Sequence, residues 1–332
     1  MHASTPALPP DGPPPDATPP APSEQHLFSF HGTGGPFFAL VLKNMVLTLL
    51  TLGIYMPWAK TERRKFLWQN VEIAGHRLRY HGTGKELFAG YLKVALGYAI
   101  FLGLPALVRQ FVSQEAAMGL QIALGVGLVA LIPYAIWGSR RYLLSRTSWR
   151  GVNFRLEGGP GLFAKTFFVG LLLTIVTLGL YGSIFANKLH KVLMNHTALG
   201  TRNFEYQGDD TEVFVLSMKG LLFSLLTCGL YSFWYRAELA RYQSHHTRFD
   251  GARGQLGLTG VDLLALTFLQ MIGMTMTLGI AFPWITCYSL HFVLERMRFT
   301  GPIDFAHIYQ AASTGNAAAD GLADALDVGA AL

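Results

Sequence analysis

Three lysines are the side chains whose type and spacing are best suited to chemistry in this 332-residue chain. Lys43, Lys93 and Lys219 each stand 11 residues after a glycine of a recurring pattern, and each lies within an apolar stretch. Ionisable residues inside a membrane segment often mark the path of a substrate or an ion. The alternative is that each lysine reaches the nearby interface along its four-carbon stem. Because Asn44 beside Lys43 favours a polar seam, these four residues are the candidate intramembrane polar positions.

A second set of basic residues follows the apolar stretches, on helices expected to be amphipathic. Near the cytoplasmic leaflet such cations attract anionic lipid headgroups, at about 1 kcal/mol each. The alternative is that they only mark the membrane topology. The candidate contacts for an anionic lipid or another anion are Arg63, Arg64, Lys65, Arg140, Arg141, Lys188, Lys191, Arg236 and Arg241.

Enzymatic, metal-binding and nucleic-acid-binding functions are not favoured. The stretch 31–35 is similar to the oxyanion loop of lipases, but no Gly-x-Ser-x-Gly motif occurs in the chain. The stretch 82–85 lacks the glycine spacing of a phosphate loop. The histidines, including His245 and His246, lack metal-ligand spacing, and the two cysteines form no CxxC motif. The net charge of +6 is spread along apolar segments without a nucleic-acid-binding module. We therefore expect no enzyme, no catalytic residue, no metal or cofactor and no nucleic-acid partner.

A recurring pattern positions the candidate residues. The pattern apolar-x-apolar-x-Gly, in which x is any residue, occurs five times. Its glycines are at positions 32, 82, 158, 208 and 260. The successive glycines are separated by 50, 76, 50 and 52 positions. A second mark follows each glycine, as in Thr51-Leu-Gly53-Ile-Tyr55, and is degraded in the second copy to Phe101-Leu-Gly103-Leu-Pro105. A fixed period of this length indicates one supersecondary unit repeated in tandem.

Each unit is predicted to contain a strand, a membrane helix, a break, a basic helix and a second strand. The first mark alternates like a short strand, and partner runs before it predict β-hairpins between the units. The glycine of the second mark is suited to the end of a helix, and Pro57 then opposes its continuation.

The composition indicates an integral membrane protein. Charged residues make up 14% of the chain and hydrophobic residues 51%, whereas soluble domains carry about 25% charged residues. Apolar stretches long enough for a bilayer core of about 30 Å lie at 37–55, 88–108, 118–137, 162–181, 213–231 and 261–280, with a weaker one at 282–294. The longer second unit is interpreted as one added crossing. We predict an all-α, multi-spanning fold with about 6–7 transmembrane helices from five tandem repeats of about 50 residues, with short β-hairpins outside the bilayer.

The ends of the chain differ in composition from the rest. Residues 1–26 contain nine prolines and no Lys or Arg, which predicts a disordered tail. Residues 306–332 are rich in Ala, Gly and Asp and predict a flexible C-terminal tail. The repeat-built transmembrane domain is expected at 27–305.

Several stretches carry a resemblance to a known family. Phe30-His-Gly-Thr-Gly-Gly, the stretch 49–60, Arg63-Arg64-Lys65 and the stretch 75–80 resemble the YjgN-like family of bacterial inner-membrane proteins, which bear domain of unknown function 898. The likeness covers roughly residues 27–305 and is looser in the later units. It implies a multi-pass protein of the bacterial inner (cytoplasmic) membrane. Because the family has no established activity, no mechanism follows from it.

Two arrangements of the hairpins are open. If each apolar stretch crosses the membrane once, the distribution of Lys and Arg favours hairpins on alternating sides and an N-terminus outside. If the units are equivalent, all hairpins lie on one face, where their strands can pair, and the basic helices re-enter the membrane. Burying those charges is costly, so single crossings are favoured.

The expected function is that of a transporter-like or channel-like protein for a small solute, which could be an anion. The alternative is a structural or lipid-organising membrane protein without a transported substrate. The expected partner is the lipid bilayer, including its anionic phospholipids, and no oligomeric state follows from the sequence.

Overall fold

A computed structural model describes residues 24–25, 27–303, 305 and 308. The tails predicted at 1–26 and 306–332 lie outside these residues, apart from positions 24, 25 and 308. Residues 24 and 25 form a short strand, and Ile308 is buried.

Ten α-helices occur within the described ranges, in five consecutive pairs. They are α1 (Gly34–Leu50) and α2 (Met56–Gln69), α3 (Gly84–Phe111) and α4 (Gln114–Ser145), α5 (Pro160–Val176) and α6 (Gly182–Asn195), α7 (Asp210–Leu226) and α8 (Ser232–His246), and α9 (Gly260–Met276) and α10 (Phe282–Leu294). The strands lie between these pairs and at both ends of the series.

Eleven short strands occur over the same part of the chain. They are β1 (Glu24–Gln25), β2 (Phe28–Phe30), β3 (Val71–Ile73), β4 (His76–Tyr80), β5 (Thr147–Trp149), β6 (Val152–Leu156), β7 (Thr197–Leu199), β8 (Arg202–Tyr206), β9 (Thr247–Phe249), β10 (Ala252–Leu256) and β11 (Met297–Thr300). They form one antiparallel sheet in which β2 to β11 follow the chain order and β1 is added beside β11.

One short stretch of chain holds both edges of the sheet. Glu24 of β1 pairs with Thr300 of β11, whereas Phe28 of β2 pairs with Ile73 of β3. The ring centroid of Phe28 lies 5.8 Å from that of Phe299, and α1 packs against α10. The strands therefore form a nearly closed, barrel-like sheet, and the helices follow in the same circular order.

This architecture shows that the all-α, 6–7-span prediction is wrong. All hairpins belong to one sheet, so every helical pair leaves that sheet and returns to it. Among the described helices, only α3 and α4 are long and apolar enough to cross a membrane. The prediction failed because an apolar helix that reverses at its far end has the same composition as one that crosses. The favoured arrangement of hairpins on alternating sides is wrong for the same reason.

A tight turn closes the far end of each of the four short pairs. In the first pair Leu52 and Gly53 both adopt positive φ, at 50° and 92°. Thr51 Oγ1 donates a hydrogen bond back into α1 at 2.7 Å and accepts one from the N–H of Tyr55 at 3.0 Å. Because one hydroxyl bonds both sides of the turn, the chain reverses within five residues. The same double hydrogen bonding is made by Thr177, Thr227 and Thr277.

The second pair lacks this turn. α3 runs through Gly103 and Pro105 and α4 begins three residues after it ends, so the two helices have 28 and 32 residues. At 1.5 Å per residue they measure about 42 and 48 Å, against about 25 Å for α1. The interpretation of the longer unit as one added crossing is wrong, because the additional residues are shared between both helices and lengthen a hairpin.

The helical pairs are spaced more regularly than the glycines of the first mark. Their N-cap residues are Thr33, Thr83, Gly159, Asp209 and Thr259. The last two caps are as far apart in the chain as the first two, and as the third and fourth. The last two glycines are two positions further apart than that. β10 ends at Leu256 as β8 ends at Tyr206. The residue that matches Gly208 is therefore Leu258, and the fifth glycine was assigned two residues too late.

The core has one part inside the sheet and others between helices and strands. Trp149, Leu199 and Phe249 are buried inside the sheet together with Ile308, and the indole N–H of Trp149 donates to the carbonyl of Ile73 at 2.9 Å. A second cluster joins α4, α5, α6 and β6 through Ile136, Trp137, Leu156, Phe163, Leu189 and Leu193.

Candidate functional site

A cleft of about 650 Å³ lies between α1, α2 and the first half of α3. Toward the turn its walls are apolar, and toward the sheet they become polar and basic. The apolar lining includes Met45, Leu49, Leu52 and Met56, and the polar lining comprises Asn44, Thr48, Lys60, Arg63 and Tyr91.

Asn44 and Lys60 are the buried polar side chains of this cleft. Asn44 is only 5% exposed, and its Oδ1 atom has no hydrogen-bond partner. An unsatisfied buried acceptor costs about 1–3 kcal/mol, so a ligand with a hydroxyl or ammonium donor would be stabilised there. Lys60 is buried and Arg63 is exposed one turn further along α2, which supplies positive charge to the same face.

Lys43 is held by an acid of the neighbouring helix. Its Nζ atom lies 2.6 Å from Oε2 of Glu62, and the hydroxyl of Tyr55 donates to Oε1 of the same carboxylate at 3.2 Å. Lys43 therefore ties α1 to α2, while Asn44 beside it lines the cleft.

Lys219 has the same arrangement in α7 and α8. Its Nζ atom lies 3.8 Å from Oε1 of Glu238, and the separation of the two residues along the chain equals that of Lys43 and Glu62. Lys93 is exposed on α3. The three lysines thus occupy one position in three separate helical pairs, and the structure does not bring them together in a single seam.

The second set of basic residues is distributed over four of the even-numbered helices. On α2, Arg64 donates to the hydroxyl of Tyr80 at 3.4 Å, while Lys65 is half-buried. On α4, Arg140 and Arg141 are half-buried, and the Nε atom of Arg140 is buried without a hydrogen-bond partner.

On α6 and α8 the basic residues are either bonded locally or exposed. Lys188 donates to the hydroxyl of Tyr181 at 2.9 Å, and Lys191 donates to the carbonyl of Gly208 at 3.5 Å. Arg236 and Arg241 are exposed on α8. Of all the predicted basic contacts, Arg63 is the one that lines the cleft.

The sequence interpretation did not single out the acids or the buried lysine of this region. Glu62 and Glu238 follow Lys43 and Lys219 at the same distance along the chain, and this equal spacing was a usable signal. Lys60 had no such signal, because its burial depends on the packing of α2 against α1 and α3.

The chemistry available in the cleft is non-covalent binding of an amphipathic anion. An apolar wall suits a hydrocarbon chain, and the basic residues suit a negatively charged headgroup. Among the described residues, no group of three or more His, Cys, Asp or Glu side chains is placed to hold a metal ion.

Comparison with protein families gives one match that covers most of the chain. The model of the family described as bacterial protein of unknown function (DUF898) matches residues 25–230, 202–255 and 221–325. The resemblance inferred from the sequence is confirmed, and the chain belongs to this family.

Three curated relatives carry the name inner membrane protein YjgN. The protein of Escherichia coli O157:H7 is 32% identical over 151 residues, or 45% of this chain and 36% of the relative. The protein of Escherichia coli strain K12 is 34% identical over 151 residues, which are again 45% of this chain and 36% of the relative. That of Salmonella typhimurium strain LT2 is 28% identical over 176 residues, or 49% of this chain and 42% of the relative.

The matches span less than half the length of these relatives. Their names support a membrane protein of unknown function, located at the inner membrane. No solved structure matches the chain.

Proposed function

We propose that this member of the DUF898 family is an integral protein of the bacterial inner membrane that binds an anionic phospholipid of the cytoplasmic leaflet. The lipid lies in the cleft between α1, α2 and α3. The observation that carries the proposal is the change within this cleft from an apolar wall to a basic floor.

The far ends of the four short helical pairs are suited to insertion into a lipid leaflet. Leu52, Leu178 and Leu278 are 93–94% exposed at three of the turns, and soluble proteins rarely expose large contiguous apolar patches. Lys43 stands seven residues before the end of α1, which is about 10 Å along the helix. These ends therefore fit within one leaflet, half of a hydrocarbon core of about 30 Å.

The α3–α4 hairpin is suited to crossing both leaflets. α3 has 11 residues more than α1 and α4 has 18 more than α2, so the long hairpin extends about 22 Å on average beyond the other turns. Together with the depth of about 10 Å estimated for the short pairs, this length matches the hydrocarbon core of about 30 Å.

The distribution of basic residues supports a cytoplasmic location of the sheet. The turns at 51–55, 112–113, 177–181, 227–231 and 277–281 contain no Lys or Arg, and the stretch 97–135 contains only Arg109. The other basic residues lie between these turns and the sheet, with Lys60 and Arg236 nearest to the turns, four residues after the first residues of α2 and α8. By the positive-inside rule, the sheet faces the cytoplasm and the short helical pairs enter the inner leaflet.

In this orientation the cleft is at the right depth for a phospholipid. An acyl chain lies against Met45, Leu49 and Met56, and the phosphate lies near Lys60 and Arg63. A headgroup hydroxyl donates to Oδ1 of Asn44, which makes phosphatidylglycerol the best fit among common anionic lipids.

The test is lipid retention by the purified full chain, measured by native mass spectrometry after mixing with equal amounts of phosphatidylglycerol and phosphatidylcholine. We expect preferential retention of phosphatidylglycerol, reduced about 10-fold, or about 1.4 kcal/mol, in a Lys60→Gln/Arg63→Gln double variant. The matched control is Arg236→Gln/Arg241→Gln, which removes two exposed charges from α8. Equal retention of both lipids, or equal loss in both variants, contradicts the proposal.

Transport of a small anion is a second candidate. It is favoured by the basic residues on the sheet-side halves of several even-numbered helices, including Arg64 and Arg140. If the three lysines serve such a path, replacing Lys43, Lys93 and Lys219 by Met abolishes chloride or phosphate flux in liposomes. Flux that is absent in the wild type, or unchanged in the triple variant, rejects this role for the lysines.

A further inference from the structure

A second cleft lies between α9 and α10, the last of the five helical pairs. Its volume of about 320 Å³ is within the range typical of small-molecule sites. The residues that line it are Gln270, Met274, Phe282, Ile285, Thr286, Ser289, Leu290 and Val293. None of these described lining residues is ionisable, so the α9–α10 cleft offers no countercharge to an ionic headgroup.

The α9–α10 cleft occupies the same place in its helical pair as the cleft between α1, α2 and α3, which we call the basic cleft. Both can be compared by counting from the N-cap residues of α1 and α9. The matching residues are Gln270 for Asn44, Thr286 for Lys60 and Ser289 for Arg63. Hydroxyl groups therefore stand in the fifth pair where the first pair has cations.

The polarity of the α9–α10 cleft changes along its length in the same direction as in the basic cleft. Met274 and Phe282 lie next to the turn, whereas Gln270 and Ser289 lie about 6–10 Å closer to the sheet. The hydroxyl of Thr286 donates to the carbonyl of Phe282 at 2.8 Å, so its oxygen remains free to accept. The hydroxyl of Ser289 and the carboxamide of Gln270 can both donate and accept. These groups suit an uncharged headgroup that carries hydroxyl and ester oxygens.

Two other helical pairs close this groove with a ring of their own. Phe185 of α6 packs so closely against Gly170 of α5 that the glycine has no room for a Cβ atom, and Tyr235 of α8 packs in the same way against Gly220 of α7. Both glycines stand 11 residues after the N-cap residue, as Gln270 does, and both rings stand 26 residues after it. The fifth pair has a carboxamide and an isoleucine at these two positions, so its groove stays open to a ligand.

We propose that the α9–α10 cleft binds an uncharged lipid of the inner leaflet, diacylglycerol. The glycerol hydroxyl and the ester groups bond to Gln270, Thr286 and Ser289, and one acyl chain lies against Met274 and Phe282. A phospholipid brings a phosphate for which the cleft has no cation, and burying an unpaired charge is costly. Access to diacylglycerol rests on the proposed function, because it needs the short helical pairs to enter the inner leaflet, but it does not require a lipid in the basic cleft.

Binding of dioctanoylglycerol to the purified full chain, measured by native mass spectrometry, tests this site. Excess phosphatidylglycerol is present so that the basic cleft is filled, and we expect one bound dioctanoylglycerol per chain. Gln270→Gly/Ile285→Phe copies the closed α5–α6 pair and should lower the affinity about 10-fold. The matched control Gln121→Gly/Ile122→Phe makes the same two replacements on α4, where Ile122 is exposed, and should leave the binding unchanged.

A converse variant tests the role of charge. Thr286→Lys/Ser289→Arg copies the cations of the basic cleft and should weaken dioctanoylglycerol binding about 10-fold, with one more phosphatidylglycerol retained. Dioctanoylglycerol binding that this variant leaves unchanged, that phosphatidylglycerol abolishes in the wild type, or that is equal in the closed variant and its control overturns the proposal. If the wild type does not select phosphatidylglycerol over phosphatidylcholine but loses dioctanoylglycerol only in the closed variant, the proposed function is rejected and the diacylglycerol site is supported.

Discussion

The short α5–α6 hairpin and the long α3–α4 hairpin begin at the same distance from the sheet but end differently. Gly179 and Gly103 stand at the same position after the N-cap residues of α5 and α3, Gly159 and Thr83. Thr177 in the short hairpin bonds both sides of the turn, whereas Phe101 at the matching position of the long hairpin has no hydroxyl. The comparison teaches that the glycine alone is not sufficient for reversal, because the helix continues where the threonine two residues earlier is missing.

The largest expected effect is the loss of the membrane crossing. Replacing the stretch 101–131 by the turn sequence of the stretch 51–55 shortens the second unit to the length of the others and gives a fifth short hairpin. Because no helix then spans the bilayer, we expect alkaline carbonate to extract most of this variant, while the wild type stays in the membrane. Carbonate extraction of isolated inner membranes measures the difference.

Side-specific labelling provides the control for this experiment. After Cys228 and Cys287 are replaced, a single cysteine at Gln114 should label from outside in the wild-type background. Cysteines at Gly75 and Gly200 should label only from the cytoplasm. Labelling of Gly200 from outside contradicts the one-face arrangement of the hairpins.

A lysine introduced at the two kinds of turn should reduce membrane insertion to different extents. Leu178→Lys puts an ammonium group into the hydrocarbon of the inner leaflet and should cost up to about 3 kcal/mol, seen as a several-fold lower amount of inserted protein. Val112→Lys, at the end of the long hairpin, reaches water on the far side and should cost less than about 1 kcal/mol. The amounts are measured by quantitative immunoblotting of membranes, and equal losses contradict the two insertion depths.

The two hairpins also differ in how their stability depends on pH. Seven residues before the following strand, α4 carries Arg140 and α6 carries His190, which can lose its charge. Burial and the nearby positive charge of Arg140 lower the pKa of His190 to about 4 in the folded protein, whereas it is about 6.5 in an unfolded chain. Because the unfolded state binds the additional proton, stability is full above pH 6.5 and decreases as the pH falls to about 4. The decrease is up to about 3 kcal/mol.

Urea unfolding at pH 7.5 and pH 4.5 measures this effect. His190→Gln should remove most of the difference between the two pH values, whereas His76→Gln, which alters an exposed histidine of β4, should not. A wild-type stability that does not change between these pH values refutes the expectation.

The smallest effect is expected at the turn itself. Thr177→Val keeps the shape of the side chain but removes the bond donated to Leu173 and the one accepted from Tyr181, so we expect a loss of about 1 kcal/mol. The opposite change, Phe101→Thr, should leave the long hairpin intact, because Pro105 stands at the position of Tyr181 and has no N–H to donate to the new hydroxyl. Thermal unfolding and the accessibility of residue 114 check the two variants.

The local elements were predictable from the sequence because local residues determine them. The strands at 28–30 and 76–80 follow the alternating mark, and the helix end near Gly53 follows from a residue that tolerates positive φ. The number of crossings was not predictable, because an apolar stretch favours lipid equally in a hairpin and in a span.

The non-local contacts had no signal in the sequence. The pairing of Gln25 with Phe299 closes the sheet, but neither residue carries a mark of the other. The buried side of Asn44 and the partner of Lys43 also depend on how α1 and α2 pack. For the candidate site, residue types were therefore predictable and their grouping was not.

The closure of the sheet by its first and last strands imposes a waiting time during biosynthesis. β1 emerges from the ribosome early, but its partner β11 ends at Thr300. At roughly 5–20 residues per second the intervening chain takes about 15–55 s to synthesise. During this interval the growing sheet has an unpaired edge that can accept a strand from another nascent chain. We therefore expect slow synthesis of the last unit to favour exchange of residues 24–25 between two copies, and fast synthesis of β11 to reduce it.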